Sequence, residues 1–346
     1  MRHAPLLSTL LVGFGLAAPL LSTTRAYAAP SPVGLARGWQ VAGTGLHLGG
    51  YGTQDLTKET GKPWQLTTED LSLFSNWNVT SRFRVFSELS LEDALIVQAG
   101  TGVRTSAAAL AFERLYVDYR ASEQLTARVG RFLTPVGHWN LIHADPLVWT
   151  TSRPIVTDYP FPTYTTGGMI YGAIGPFPRQ IDYSLYGGNG DDTPGSPGRN
   201  PYDRLYGGRL SYAFGNSKIG FSYAHFAQEI PLVEQNDLIG IDWRWSRGGY
   251  AISSEAIYRF SSLGPAQDER GAFLQGVAPL SSTRLFAVAR YEYFCQGSAF
   301  PAVHLWVAGL ALRVTRTSVL KAEYAWARHN AVGAETGFLA SFGILF

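Results

Sequence analysis

The stretch TGFLASFGILF, Thr336 to Phe346, decides the fold. Phe338, Ala340, Phe342, Ile344 and Phe346 recur at every second position. A period of two places one row of side chains on one face of a strand, where a helix would need a period near 3.6. A buried C-terminal strand of a soluble domain reads the same way while the segment stands alone, so the rest of the chain must separate the readings. At the other end, Arg2 precedes an apolar run from Leu6 to Leu21, and Ala26-Tyr27-Ala28 follows as a small-x-small cleavage site. That layout is a secretory signal peptide over residues 1–28, which leaves 29–346 to fold. Ser8, Thr9 and Pro19 interrupt the run, which is also short for a span, so an uncleaved anchor is the weaker alternative.

Composition narrows the class. The 346 residues are 13% aromatic and only 16% charged, with 38 glycines, and mean hydropathy is near zero. No long apolar run follows the signal, so helices cannot carry this chain across a bilayer. A closed antiparallel barrel can, because apolar and polar residues alternate and every backbone group pairs between strands. Removing Arg2 and Arg25 from 28 basic residues leaves 26 against 26 acidic, so no global field points to nucleic acid. The single cysteine, Cys295, rules out an internal disulfide framework.

Sixteen alternating segments emerge between turn signals, beginning with 39–52, 65–77, 82–93, 107–119 and 124–133 and ending with 303–314, 319–329 and 336–346. The clearest carry one face that lipid would accept, such as Phe83, Val85, Leu89 and Leu91, or Ile239, Ile241, Trp243 and Trp245. Connections alternate in length. Short turns at Asn78 to Ser81, Arg120 to Glu123, Gly215 to Ser217 and Ser246 to Gly249 face longer loops at Thr53 to Trp64, Thr134 to Thr166 and Ser262 to Arg270. Aromatics gather near strand ends, Trp77, Tyr119, Phe214, Trp245 and Phe346 on one rim and Tyr258, Phe260, Tyr291, Tyr293 and Trp326 on the other, as interfacial girdles do. A soluble β-sandwich needs neither paired girdles nor strict long-short alternation. The expected fold is all-β, a transmembrane barrel of about sixteen strands.

On these residues the terminal segment looks like the last strand of a bacterial outer-membrane barrel, with Phe342, Ile344 and Phe346 as the signal that the barrel-assembly machinery pairs with. A second resemblance lies in FERLYVDYRASEQLTARVGRFLTPVG, Phe112 to Gly137. It is similar to the fourth and fifth strands of sixteen-stranded general and anion-selective porins, with Arg114, Tyr116-Val117 and Gly130-Arg131 in comparable places and the longest loop following at once. The resemblance implies a homotrimeric channel in the cell outer membrane, a third external loop folded into the lumen, and passive diffusion of small hydrophilic solutes or ions. Porins often carry an acidic cluster in that loop. This loop instead offers His138, His143, Asp145, Arg153 and Asp158, so the constriction's selectivity stays open. From the residues alone, Trp139, Val148, Ile155 and Phe161, with several prolines, give the loop apolar and rigid content that suits packing inside the barrel.

If apolar faces meet lipid, the opposite parity lines the lumen. That turns Arg82, Arg84, Arg114, Arg128, Arg209, Arg244, Arg259, Arg290 and Lys321 inward, with Glu88, Asp118, Asp242, Glu255, Glu292 and Glu323. Basic positions prevail, which leans the channel weakly towards anions. The alternative for any one of them is a cross-strand pair that stiffens the wall, as Glu292 with Lys321 or Asp242 with Arg259. Asp55, Glu59 and Asp268 place acid in the outer loops. Glu113 shares the parity of Leu115 and Val117 on a lipid face, which requires a bulge or a subunit contact. His138, His143 and Asp145 are too sparse a set for a metal, no cofactor fingerprint occurs, and none of His225, His304 and His329 has a spacing that marks a catalytic partner. The chain is expected not to be an enzyme. The other class left open is an occluded barrel with a structural, adhesion or lipid-hydrolase role.

Overall fold

The computed structural model describes residues 38–346 apart from 143, 159, 177–178, 192–201, 230–232, 281–283 and 299. Sixteen long strands dominate it: β1 Leu46–Glu59, β2 Gln65–Asn78, β3 Phe83–Gln98, β4 Ala109–Arg120, β5 Thr126–Leu133, β6 Tyr164–Ile174, β7 Ile181–Asp191 and β8 Tyr202–Phe214. The second half comprises β9 Ser217–Glu229, β10 Val233–Arg247, β11 Tyr250–Ser261, β12 Glu269–Pro279, β13 Leu285–Gln296, β14 Val303–Arg313, β15 Ser318–Arg328 and β16 Gly337–Leu345. Each pairs antiparallel with its neighbours, and β16 returns to β1, with Ile344 opposite Gly52 and Phe342 opposite Gln54. The sheet therefore closes. Closure removes the free edges that would otherwise present unpaired N–H and C=O groups. At the seam, the N–H of Gly50 donates to Phe346 O at 2.9 Å and the N–H of Phe346 returns to Gly50 O at 3.0 Å. A Cβ on Gly50 would meet Ser72 O at 2.3 Å and the Phe346 ring at 2.7 Å, so only glycine lets the last residue lie this close.

Parity sets the two faces. On β9 and β10, Ile219 lies opposite Trp243, Phe221 opposite Ile241 and Tyr223 opposite Ile239, and all six point outward. Leu210, Phe221, Leu274, Tyr324 and Trp326 are more than half exposed. Such an exposed apolar surface is not stable against water, and it is what a barrel offers to lipid. Of the expected girdle residues, Trp77, Tyr119, Phe214 and Phe346 are exposed at the short-turn end and Phe260, Tyr291 and Trp326 at the other. Trp306 and Trp326, opposite each other on β14 and β15, stack at 4.6 Å.

The first strand differs from its expected span. It runs over 46–59, not 39–52, and residues 53–59, expected as an outer loop, continue the ladder against β2 and β16. TQDLTKE lacks an apolar face of its own, so its strand state comes from being gripped on both sides and leaves no mark in local periodicity. Asp55, expected outside, is consequently buried on the inner face. Glu113 is settled by a bulge. Glu88 lies opposite Arg114 and Leu89 opposite Phe112, so Glu113 is the extra residue, buried inside, where its carboxylate accepts from Tyr164 Oη.

Candidate functional site

The connection from β5 to β6, residues 134–163, is the longest in the chain and lies inside the barrel. Its neck is closed by the N–H of Thr134 donating to Thr163 O at 2.9 Å, and Asn140 Nδ2 donates to Thr134 O and Thr163 O at 2.9 and 3.1 Å. Three short 3-10 turns follow, Trp139–Leu141, Asp145–Leu147 and Ile155–Thr157. Such turns leave N–H groups without acceptors inside the loop, and a buried orphan costs as much as a lost hydrogen bond.

Carboxylates on the far wall take them. Glu255 on β11 accepts from the N–H of His138 at 2.7 Å and from that of Trp139. Glu323 on β15 accepts from Thr151 and Ser152 at 3.0 and 2.7 Å, and Glu292 on β13 from Ile155 at 2.7 Å. Cations hold the loop's oxygens. Arg290 donates to Thr150 Oγ1 at 2.6 Å and Ser152 O at 3.0 Å, while Lys321 Nζ donates to Thr150 O at 2.9 Å and Asp145 O at 3.2 Å. Gly137, at φ +64°, passes over Glu255 so closely that a Cβ would meet the carboxylate at 2.1 Å. Apolar packing completes the seat. Val136, Trp139, Ile155, Val156 and Phe161 join one buried cluster with Phe273, Phe294, Leu305 and Leu339 of the wall, and Trp139 sits edge-on to Phe273 at 5.8 Å.

The opposite wall, β3 to β10, carries paired arginines. Asp118 receives Arg128 through two bonds of 2.7 and 3.0 Å, Arg84 Nε at 3.0 Å and Tyr171 Oη at 3.0 Å. Arg128 also lies over the Tyr116 ring at 3.6 Å, and Arg114 pairs with Glu88. Arg209 donates to Asp242 at 2.8 Å and Lys218 to Asp182 at 2.6 Å. Arg244 approaches His138 Nε2 at 3.1 Å. Burial, and then the positive charge of Arg244, Arg209 and Lys218, holds the His138 imidazole well below its ordinary pKa, so it is neutral and accepts that bond.

Of the residues expected to line the lumen, Arg82, Arg84 and Arg244 reach solvent, whereas Glu88, Arg114, Asp118, Arg128 and Arg290 are covered by protein. Arg290 lies under the loop. Two expected pairings are replaced: Glu292 binds Arg290 at 2.6 Å rather than Lys321, and Asp242 binds Arg209 rather than Arg259, which turns to Glu269 at 3.2 Å. Arg290 reaches along its own strand, and Arg209 crosses β9 over Gly220, where a Cβ would meet both it and Asp242, to reach β10, contacts that a parity count does not resolve. Of the loop residues, Arg153 braces the loop internally through Asn140 Oδ1 at 2.7 Å and Thr157 O at 3.0 Å, and Asp145 and Asp158 begin and follow 3-10 turns. His143 lies outside the described residues. Among the described residues no group of three or more His, Cys, Asp or Glu could hold a metal ion. The anchoring role of Glu255, Glu292 and Glu323 was not legible, because these side chains read as wall charges until a loop with orphan N–H groups is brought against them.

No family model matches the chain. A stretch of 132 residues, 37% of the chain, is 30% identical to an uncharacterized protein of Aquifex aeolicus strain VF5, and the match spans 29% of that protein's length. Among solved structures, the anion-selective porin from Comamonas acidovorans superposes with a TM-score of 0.59 at 14% identity, covering 87% of this chain and 99% of that one. OmpF of Salmonella typhi, in complex with daunomycin, gives 0.60 at 11% identity over 88% and 98%. In-vitro folded OmpT of Vibrio cholerae in its trimer form, an outer membrane protein, gives 0.59 at 10% over 87% and 97%. The chain has the closed sixteen-stranded antiparallel barrel of the porins.

Proposed function

We propose that this protein is an outer-membrane channel for passive diffusion of small hydrophilic solutes or ions, with a weak preference for anions, and that it is not an enzyme. The observation that carries the reading is the asymmetric lumen. The third loop is tied mainly to β11 through β15 by backbone bonds to Glu255, Glu292 and Glu323, with lighter contacts to Ser222 and Arg244 on β9 and β10, and Arg82, Arg84 and Arg244 of that second wall reach solvent, which supports an aqueous path on their side. A barrel of sixteen strands is wide enough to hold an aqueous path. In a narrow path charges are weakly screened and a small cationic surplus is felt. The barrel-assembly machinery would recognise Phe342, Ile344 and Phe346, the signal over residues 1–28 would direct export, and a homotrimer is the expected assembly, as in the trimer form of OmpT. Purified protein in a planar bilayer tests the reading through stepwise current. A second reading, an occluded barrel, draws support from the apolar cluster that runs from Phe86 and Tyr116 across the loop to Phe294. Absence of current steps from folded protein would favour it.

A further inference from the structure

At the short-turn end of β2 to β6 a pocket of about 300 Å³ opens, with Thr80, Arg82, Arg84, Asp118, Arg120 and Tyr171 on its wall. Asp118 is the one carboxylate lining it, and it is already taken by Arg84, Arg128 and Tyr171. Arg82 and Arg120 have no such counterpart. The N–H of Arg120 donates to Arg82 O at 2.8 Å, so two guanidinium-bearing residues stand opposite each other across the ladder, both exposed, and no ion pair reaches either among the described residues. Like charges directly opposite are unfavourable unless something negative lies between them. Thr80 Oγ1 accepts from the N–H groups of Arg82 and Phe83 at 3.2 and 3.0 Å, which leaves its hydroxyl hydrogen to donate into the pocket.

We infer that this pocket is a binding site for a small multivalent oxyanion, a solute carrying phosphate or two or more carboxylates, gripped between Arg82, Arg84 and Arg120. Guanidinium forks match such oxygens in pairs, and the volume suits a ligand of that size. These arginines share the inward parity of the wall, so the ligand arrives from water and not from the lipid that Phe83 and Tyr119 face. The site deepens the channel reading by naming a solute class, and rests on it only for the route in.

Titration calorimetry of the folded, detergent-solubilised barrel with citrate and with inorganic phosphate at low salt tests it. Saturable uptake at one site per chain is expected, weakened about tenfold or more by Arg82→Gln with Arg120→Gln and left intact by Arg247→Gln, an exposed cation at the same end on β10. Arg120→Gln alone, which removes a guanidinium that makes no hydrogen bond or ion pair among the described residues, should weaken it by a smaller factor. No saturable uptake of either probe, uptake unaltered in the double variant, or equal weakening by Arg247→Gln would overturn the site. A protein that binds citrate but passes no current loses the channel reading and keeps the site, while the reverse pattern removes the site alone.

Discussion

Single side chains on the far wall decide where the loop lies. Glu255 and Glu323 each accept two backbone N–H groups, so neutralising either leaves charge-assisted bonds weakened and truncating it orphans two buried donors. Glu323→Ala should therefore cost about 1–3 kcal/mol of stability, read as a lower midpoint for loss of heat-modifiable mobility, and should raise current noise as the loop loosens. Quiet channels and an unchanged midpoint would show that the carboxylate does not hold the loop. His138 adds a pH dependence. Its folded pKa lies below the ordinary value near 6.5, so acid protonates the unfolded chain first and the folded one only later. The stability it contributes is full above about 6.5 and is lost as pH falls towards the depressed value. The acid-side fall in melting midpoint should be shallower in His138→Gln, and an equal slope in both proteins would count against this seat.

At the scale of elements, the strands were largely legible and their exceptions have physical causes. Segments such as Phe83 to Leu91 and Ile239 to Trp245 announce themselves because one face meets lipid and the other water, a contrast that alternation records. The run Thr53 to Glu59 does not, since it is held between its hairpin partner β2 and the sequence-distant β16, and neither pairing marks local alternation. Likewise the bulge at Glu113 shows only as a charge on the wrong parity, a signal that named the anomaly without choosing its cause. The infolded loop was legible from its aromatic and proline content, but its partners were not, because Glu255 lies more than a hundred residues away. Shortening the loop between Val136 and Thr163 should enlarge single-channel conductance, and an unchanged value would place the loop outside the conducting path. The terminal strand carries a separate prediction. With Phe346 bonded to Gly50 at the seam, deleting Phe346 should lower the amount of inserted, heat-modifiable barrel while export continues, and normal insertion would contradict that role.

For the whole molecule the central claim is a water-filled path beside an arginine-bearing wall. The barrel closes strand to strand, its outside is apolar, and its inside is divided between a loop tied mainly to one wall and paired charges on the other. Most inner arginines are spent on Asp118, Glu88, Asp242, Glu269 and Glu292, so the field left to bias ions is small and exposed to screening. The zero-current potential across a bilayer in a potassium chloride gradient measures that field most directly. The protein should conduct and show a modest anion preference at low salt that fades as salt rises, and Arg82→Glu with Arg84→Glu should drive the potential to the cation side. A folded, inserted protein that passes no current, or a native preference for cations that this double change leaves in place, would contradict the account.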